Sequence, residues 1–299
     1  MPHASKTVRQ LAFWSIPLAF GVMGLKFVAW HLTGSIALYS DALESIVNVI
    51  AALAAFFAIG YAQKPADTDH PYGHHKAEYF SAVLEGVLIV VAALLIVHEA
   101  AGGLLAPQRI EAPALGLAVN ASAALVNGIW AAVLLRFGRR HRSPALQADG
   151  HHILSDVVTS VGVILGLGLA LALDQPRLDP LLAIIVAMNV LWQGWKVISS
   201  SVNGLMDRAV DPADELRIQT IIKAEAQGAI EAHDIRTRMA GRVSFVEFHL
   251  VVDGNMSVEE SHRICDRLES ALRNGVEGIR VIIHVEPSHK AKDEGVLLT

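Results

Sequence analysis

Hydrophobic and polar positions divide the 299-residue chain into a long apolar part and a shorter polar one. A helix needs about 20 mostly apolar residues to cross the hydrocarbon core of a bilayer. Six stretches meet that length: Leu11–His31, Ser35–Tyr61, Phe80–Leu105, Ala114–Phe137, Ile153–Leu173 and Leu181–Leu205. The pattern therefore predicts an α-helical membrane domain with six transmembrane helices over residues 1–206.

From about Asp207 the pattern changes to polar and charged residues with short apolar stretches. Local patterns predict helices over Asp211–Ala226 and Ser257–Arg273. They predict strands over Val243–Val252 and Ile279–Val285. Asp211 before Pro212 is typical of a helix start, and Ser257 with Glu260 predicts a capping box. We expect a small α+β domain of αββαβ order over residues 207–290, followed by a disordered tail over 291–299.

Composition narrows the classes of function. Hydrophobic residues make up 53% of the chain and charged residues 18%, a balance that is unusual for a soluble protein. The formal net charge of −5 gives no basis for a nucleic-acid partner. Cys265 is the only cysteine, which excludes an internal disulfide and a CxxC metal site. Any metal site must therefore use histidine, carboxylate and amide ligands.

Basic residues near the linkers predict the orientation in the membrane. Six of them cluster around the linkers after the second and fourth predicted spans: Lys64, Lys76, Arg136, Arg139, Arg140 and Arg142. The linkers after the first, third and fifth spans are short and poor in lysine and arginine. By the positive-inside rule, the basic linkers face the cytoplasm. With an even number of spans, both termini are then cytoplasmic, in a multi-pass protein of the cell membrane.

Two predicted spans carry polar stripes of matched spacing. In each stripe the second and third residues follow the first by three and seven positions: Asp41, Glu44, Asn48 and Asp149, His152, Asp156. Such positions share one helix face, and an ionisable residue inside a membrane is a functional candidate by default. If the stripes face each other, four ligands suited to a divalent cation converge: Glu44, Asn48, His152 and Asp156. The alternative is that these groups only hydrogen-bond one another between helices.

The linker between the second and third spans is rich in metal-type ligands. Asp67, His70 and His74 lie close together in sequence, and Pro71 and Gly73 mark a turn that can bring them together in space. The alternative is a solvated cytoplasmic loop whose histidines bind nothing.

Alternation in two C-terminal strands separates histidines from the core. In Val243–Val252 the apolar residues at even positions share one face, and His249 points to the other. In the last strand His284 and Glu286 share the face opposite Ile283. We therefore expect these groups to be able to meet, the alternative being ordinary surface histidines of a folded domain.

Several separate motifs, in order along the chain, resemble those of the cation diffusion facilitator family. They are Ser40-Asp41-Ala42 with Glu44 and Asn48, the run from His70 to Glu78, the pair His152 and Asp156, and the run from Ala232 to Arg238. The resemblance extends from the first span to about Pro287.

The resemblance implies a homodimer that exports Zn²⁺ or a similar divalent ion in exchange for protons, with a metallochaperone-like cytoplasmic domain. Its transport site matches Glu44, Asn48, His152 and Asp156, which Asp41 and Asp149 would support. A loop site matches Asp67, His70 and His74. A binuclear cytoplasmic site near the dimer interface matches His233, His249, His262, His284 and Glu286. An interlock between the two domains matches Lys76 and Asp207.

Two positions depart from the family pattern. Bacterial zinc-type members usually have Asp-xxx-Asp on the second helix, where this chain has Glu44 and Asn48. Asn48 is neutral, so the four predicted ligands include two carboxylates and one imidazole. A harder, less anionic site widens the expected cargo from Zn²⁺ to Fe²⁺, Mn²⁺, Co²⁺ or Ni²⁺. Glu286 stands where an aspartate is common, and the carboxylate is kept.

The expected function is metal–proton antiport rather than catalysis, because a metal that loads a site displaces protons from its ligands. A membrane-bound metal sensor or partner-binding protein is the main alternative, and it would bind metal without any flux. A membrane metalloenzyme would need a nucleophile or general base beside the metal, and the sequence offers no such constellation. A channel is disfavoured because a closed four-ligand site suits tight binding and slow exchange.

Overall fold

The computed structural model describes residues 2–33, 36–105, 114–173, 175, 177–292 and 296–297. Six long helices come first: α1 Pro2–Thr33, α2 Ile36–Ala62, α3 Ala77–Leu105, α4 Ala114–Arg140, α5 Pro144–Leu173 and α6 Leu178–Leu205. The shortest have 27 residues. At about 1.5 Å per residue, such helices are longer than a hydrocarbon core of about 30 Å.

Length and apolar composition together identify membrane spans. Among the described residues, four stretches meet both criteria: Thr7–Leu32, Glu44–Ala62, Ala77–Leu105 and Ala114–Arg140. Large apolar side chains such as Phe57, Leu95 and Trp192 are more than 60% exposed, as expected for helices that face lipid. The predicted class, a helical membrane domain followed by a small α+β domain, is confirmed.

Helix packing brings the two polar stripes together. α2 and α5 contact each other, and both contact α3, while α1 contacts α2 and α4. α5 begins at Pro144, nine residues before the predicted span, so Asp149, His152 and Asp156 all lie on one continuous helix. α3 and α6 approach closely at two glycines, where a Cβ on Gly86 would lie 2.6 Å from Ile198 Cγ1.

The chain divides into two compact units, Met1–Val202 and Asn203–Thr299. The described residues of the second unit form two α-helices, four strands and the short 3-10 helix Ser288–Lys290. The α-helices and strands are α7 Pro212–Glu225, β1 Glu231–Ala240, β2 Val243–Val252, α8 Val258–Gly275, β3 Ile279–Pro287 and β4 Val296–Leu297. The strand order is β3-β2-β1-β4, with β2 parallel to β3 and antiparallel to β1. The predicted αββαβ order is confirmed from α7 to β3, and β4 follows as an additional strand.

One sheet face of this unit packs on the two helices. Phe248 and Leu250 of β2 are buried against Ile222 of α7 and Leu268 of α8, among other apolar residues of one core. The predicted capping box of α8 is present, with reciprocal hydrogen bonds between Ser257 and Glu260. The C-terminal tail differs from the predicted disorder at β4, which pairs with the start of β1.

Candidate metal sites

Buried carboxylates of α2 and α5 meet inside the membrane domain. Asp41 and Glu44 of α2 and Asp156 of α5 each offer an oxygen, and these oxygens lie within 4.8 Å of one another. All three residues are at least 92% buried. The structure therefore brings together Glu44 and Asp156 from the predicted transport site, and it adds Asp41, which the sequence predicted only as a supporting residue.

The other two predicted ligands of this site are buried but lie outside that group of three. Neither ring nitrogen of His152 has a hydrogen-bond partner among the described residues, and the Oδ1 atom of Asn48 has none either. A buried polar atom without a partner is costly, because it loses its hydrogen bonds to water. These atoms are thus chemically fit to accept an ion that enters the membrane domain.

Lys26 of α1 belongs to this site, and the sequence analysis missed it. Its Nζ lies 2.8 Å from Asp41 Oδ1, and 2.7 and 2.8 Å from the two oxygens of Asp156. Ser160 donates to Asp41 at 3.0 Å, and Asn127 of α4 donates to Asp156 Oδ2 at 2.6 Å. The available signal was a lysine inside the first predicted span, where any ionisable residue is a functional candidate.

A second acidic pair is buried between α3 and α5. Glu85 and Asp149 are both 0% exposed, and they lie near enough to interact electrostatically. Ser15 of α1 donates to Asp149 at 2.9 Å, and Trp130 of α4 donates to Ser15 at 2.9 Å. Both oxygens of Glu85 lack a hydrogen-bond partner among the described residues. The polar stripe of the fifth span indicated Asp149, whereas Glu85 stands alone inside an apolar span and was missed.

The loop between α2 and α3 gathers Asp67, His70 and His74, whose ligand atoms lie within 4.8 Å of one another. Asp67 Oδ1 accepts the backbone N–H of His70 at 2.7 Å, and Asp67 Oδ2 lies 3.3 Å from His74 Nε2. Gly73 has φ +88°, a conformation that favours glycine. The hydrogen bond that the backbone N–H of His70 donates to Asp67 is the main reason that the pKa of Asp67 lies below its usual value. The carboxylate is therefore ready to bind a cation.

Three neighbouring strands of the second unit place one histidine each in a single row. His233 of β1 lies opposite His249 of β2, which lies opposite His284 of β3. Glu286 is close to all of them: its oxygens lie 3.3 Å from His233 Nε2, 3.3 Å from His249 Nδ1 and 3.7 Å from His284 Nε2. Ligand atoms of His233, His249 and Glu286 lie within 4.8 Å of one another.

His262, the fifth residue predicted for this site, lies apart from the row of histidines. Its side chain is 72% exposed on α8 and lies 3.7 Å from Asp266. Among the described residues of one chain, four of the five predicted ligands therefore lie close together: His233, His249, His284 and Glu286.

Two acidic residues that the sequence analysis missed border the histidine row. Glu231 is 98% buried and lies 2.8 Å from His233 Nδ1. Asp234 lies 4.0 Å from His249 Nδ1. Lys292 hydrogen-bonds to Asp234, and this bond is the main cause that lowers the pKa of that carboxyl. Near histidine ligands, such carboxylates can fix the orientation of the imidazole rings.

The predicted interlock of Lys76 with Asp207 would join the two units, and it stays a prediction. Within the second unit, Asp207 lies 3.3 Å from the guanidinium of Arg238.

Comparisons with known proteins identify the family of both parts of the chain. The family model of the cation efflux transmembrane domain matches residues 12–206, and that of the cation efflux protein cytoplasmic domain matches residues 210–288. The uncharacterised transporter sll1263 of Synechocystis sp. is 41% identical over 288 residues, which cover 96% of this chain and 93% of that protein.

Two further matches carry names that refer to metal transport. The cation-efflux pump FieF of Shewanella oneidensis is 32% identical over 288 residues, which cover 93% of this chain and 96% of that protein. A solved structure of the proposed zinc transporter CzrB in its zinc form is 46% identical and covers 29% of this chain and 98% of that one, with a TM-score of 0.28.

Proposed function

The chain belongs to the cation efflux family, and on that premise we propose that it exports Zn²⁺ or a related divalent ion in exchange for protons. The resemblance to the cation diffusion facilitators is thereby confirmed, and the chain is a membrane transporter for divalent metal cations. The ion, the proton exchange and the residues that bind the cargo belong to the proposal.

One observation carries the proposal: Asp41, Glu44 and Asp156 gather buried carboxylate oxygens within 4.8 Å between α2 and α5. Buried carboxylates are costly without a compensating charge. The Lys26 ammonium balances one of the three, and the two remaining formal negative charges match a divalent cation. The cargo ligands in the proposal are Glu44, Asn48, His152 and Asp156, and Asp41 supports the site beside them. Its imidazole nitrogen and carboxylate oxygens are ligand types that Zn²⁺ accepts.

Asp41 bears on the choice of metal. Asn48 removes one carboxylate from the zinc-type family pattern, and Asp41, seven residues earlier on the same helix, supplies one to the cluster. Because the Lys26 ammonium lies 2.8 Å from Asp41 Oδ1 and offsets its charge, the expected shortage of negative charge remains. Zn²⁺ stays the first candidate because the proposed site includes the His152 imidazole, a ligand type that Zn²⁺ accepts. Fe²⁺, Mn²⁺, Co²⁺ and Ni²⁺ stay as alternatives, because their ligand preferences overlap.

The remaining clusters are proposed as accessory metal sites on the cytoplasmic side. The loop site comprises Asp67, His70 and His74, and the site of the C-terminal unit comprises His233, His249, His284 and Glu286, with His262 as a further ligand. In the proposal the protein is a homodimer with both termini in the cytoplasm. In the proposal, metal bound at these sites comes from the cytoplasm, where export begins.

Zinc flux across vesicles with an imposed pH gradient tests the proton exchange. In the proposal, a purified and reconstituted chain moves Zn²⁺ toward the acidic side, and a protonophore that collapses the gradient stops the net movement. Zinc flux that is the same with and without the pH gradient would rule out proton antiport. It would still be consistent with zinc transport. Metal binding without any flux would instead favour the sensor.

A further inference from the structure

The carboxylates of the proposed transport site already hold a cation that belongs to the protein. The Lys26 ammonium lies between Asp41 and Asp156, at 2.8 Å from the first and 2.7 Å from the second, and its side chain is 0% exposed. Charge-assisted contacts of this length are strong hydrogen bonds. The metal-free cluster is thus a mixed one of three carboxylates and one ammonium.

Lys26 occupies lone-pair sites on both oxygens of Asp156, where a metal would also bind. Each carboxylate oxygen has about two lone-pair sites. Oδ2 of Asp156 accepts both Lys26 and the amide of Asn127, and Oδ1 accepts Lys26 as well. A divalent ion bound to the same carboxylate would lie close to the ammonium, and two like charges in a buried place repel strongly.

We propose that Lys26 is a tethered competitor of the cargo ion, and that metal binding moves its ammonium from Asp156 onto Asp41 alone. The inference rests on the proposed transport site at Asp156. The move is short, because Nζ already contacts Asp41 Oδ1 at 2.8 Å. Return of the ammonium to Asp156 then weakens the hold on the metal and helps to release it.

Formal charge supports this exchange of partners. Three carboxylates and one ammonium together carry two negative charges, which a single divalent cation balances. Lys26 paired with Asp41 is internally neutral, and Glu44 with Asp156 then matches the charge of the metal. Asp41 is held in place for this pairing by Ser160, which donates to it at 3.0 Å.

A purely structural role for Lys26 makes the opposite prediction. If the lysine only neutralises buried acids, its removal would disorder the cluster and weaken metal binding. If it competes with the cargo, its removal frees Asp156 and strengthens binding. Metal affinity therefore separates the two roles, whereas loss of transport alone would not.

The test is Zn²⁺ titration of the purified full chain, in a background where Asp67→Ala and His233→Ala disable the accessory clusters. We expect Lys26→Met to lower the Zn²⁺ dissociation constant at least tenfold and to slow zinc flux in vesicles. The double variant Lys26→Met/Asp41→Asn removes one charge of each sign, and it should bind as tightly as Lys26→Met. Lys64→Met, a lysine outside the bundle, should bind like its background.

Zinc binding by Lys26→Met that is no tighter than that of its background would overturn the inference. Zinc binding by the charge-balanced double variant that is no tighter than that of the background would overturn it as well. The second variant keeps the test valid if the single one does not fold. Asp156→Asn in the same background separates this outcome from a failure of the proposed site. If Asp156→Asn binds zinc like its background, the transport site itself is misplaced, whatever Lys26 does.

Discussion

Single side chains set the charge of the membrane cluster. Asn48 made the predicted site look short of one carboxylate, yet Asp41 joins Glu44 and Asp156 within 4.8 Å. Lys26 then offsets one of the three negative charges. The charge of a buried site therefore cannot be counted from its predicted ligands alone, because neighbours on other helices contribute to it.

Asp67 provides a test of the loop site. Asp67→Asn removes the charge that faces His70 and His74, and we expect one zinc equivalent to bind about tenfold more weakly or not at all. Calorimetric titration of the full chain measures it. Asp69→Asn is the matched control, since the Asp69 side chain lies outside the cluster. Equal zinc stoichiometry and affinity in the two variants would refute the loop site.

The ligand types of this loop were predictable, since Pro71 and Gly73 forced a turn among closely spaced residues. The contact of Lys26 with Asp156 was not, because 130 positions separate the two residues. Periodicity reveals which face of a helix is polar, but it does not reveal which helices surround that face. Glu85 was missed for the same reason, because its acidic neighbour Asp149 lies on α5.

Helices and strands were predicted best where local chemistry defines their ends. β2 has the predicted bounds, and α8 begins at its capping box. α5 starts nine residues before its predicted span. The prediction was based on hydropathy, and the first turns of the helix contain polar residues. β4 was unpredictable, because two residues become a strand only by pairing with β1.

The crossing of α3 and α6 requires a glycine at position 86. A Cβ there would lie 2.6 Å from Ile198 Cγ1 and 3.2 Å from the carbonyl oxygen of Gly194. We expect Gly86→Ala to destabilise the membrane unit by about 1–3 kcal/mol through overpacking. Thermal unfolding in detergent measures the change. Gly102→Ala on the same helix meets no atom within 4 Å and should leave the midpoint unchanged or higher; equal effects would contradict the packing.

The capping box of α8 predicts a pH dependence. Hydrogen bonds from Ser257 lower the pKa of Glu260 below its ordinary value of 4.5. A lowered folded-state pKa means that the contribution to stability is present above that ordinary value and is lost as the pH falls through the lowered pKa. Glu260→Gln should therefore show less acid destabilisation than the parent chain.

Denaturant unfolding of the full chain between about pH 6 and pH 3 measures this difference, with the signal taken from the C-terminal unit. Glu259→Gln is the matched control, because Glu259 lies in the same first turn but outside the capping box. A Glu260→Gln profile that runs parallel to the parent's would show that the box contributes nothing to the acid response.

The whole molecule combines a buried membrane cluster with two clusters of histidine and carboxylate ligands outside the helices. The division of the chain, between Val202 and Asn203, separates an apolar unit from a polar one. A transport site in the first unit with an accessory metal site in the second is the division of roles that the proposal assigns to these units. In the proposal, movement of the cargo depends on the membrane cluster.

Zinc flux in reconstituted vesicles, compared between Asp156→Asn and Asp69→Asn, tests that dependence most directly. Both variants replace one aspartate by its neutral isostere, and size-exclusion profiles check that each is folded. We expect Asp156→Asn to reduce flux to the level of empty vesicles and Asp69→Asn to transport like the parent chain. Parent-level flux in folded Asp156→Asn would contradict the placement of the cargo between α2 and α5.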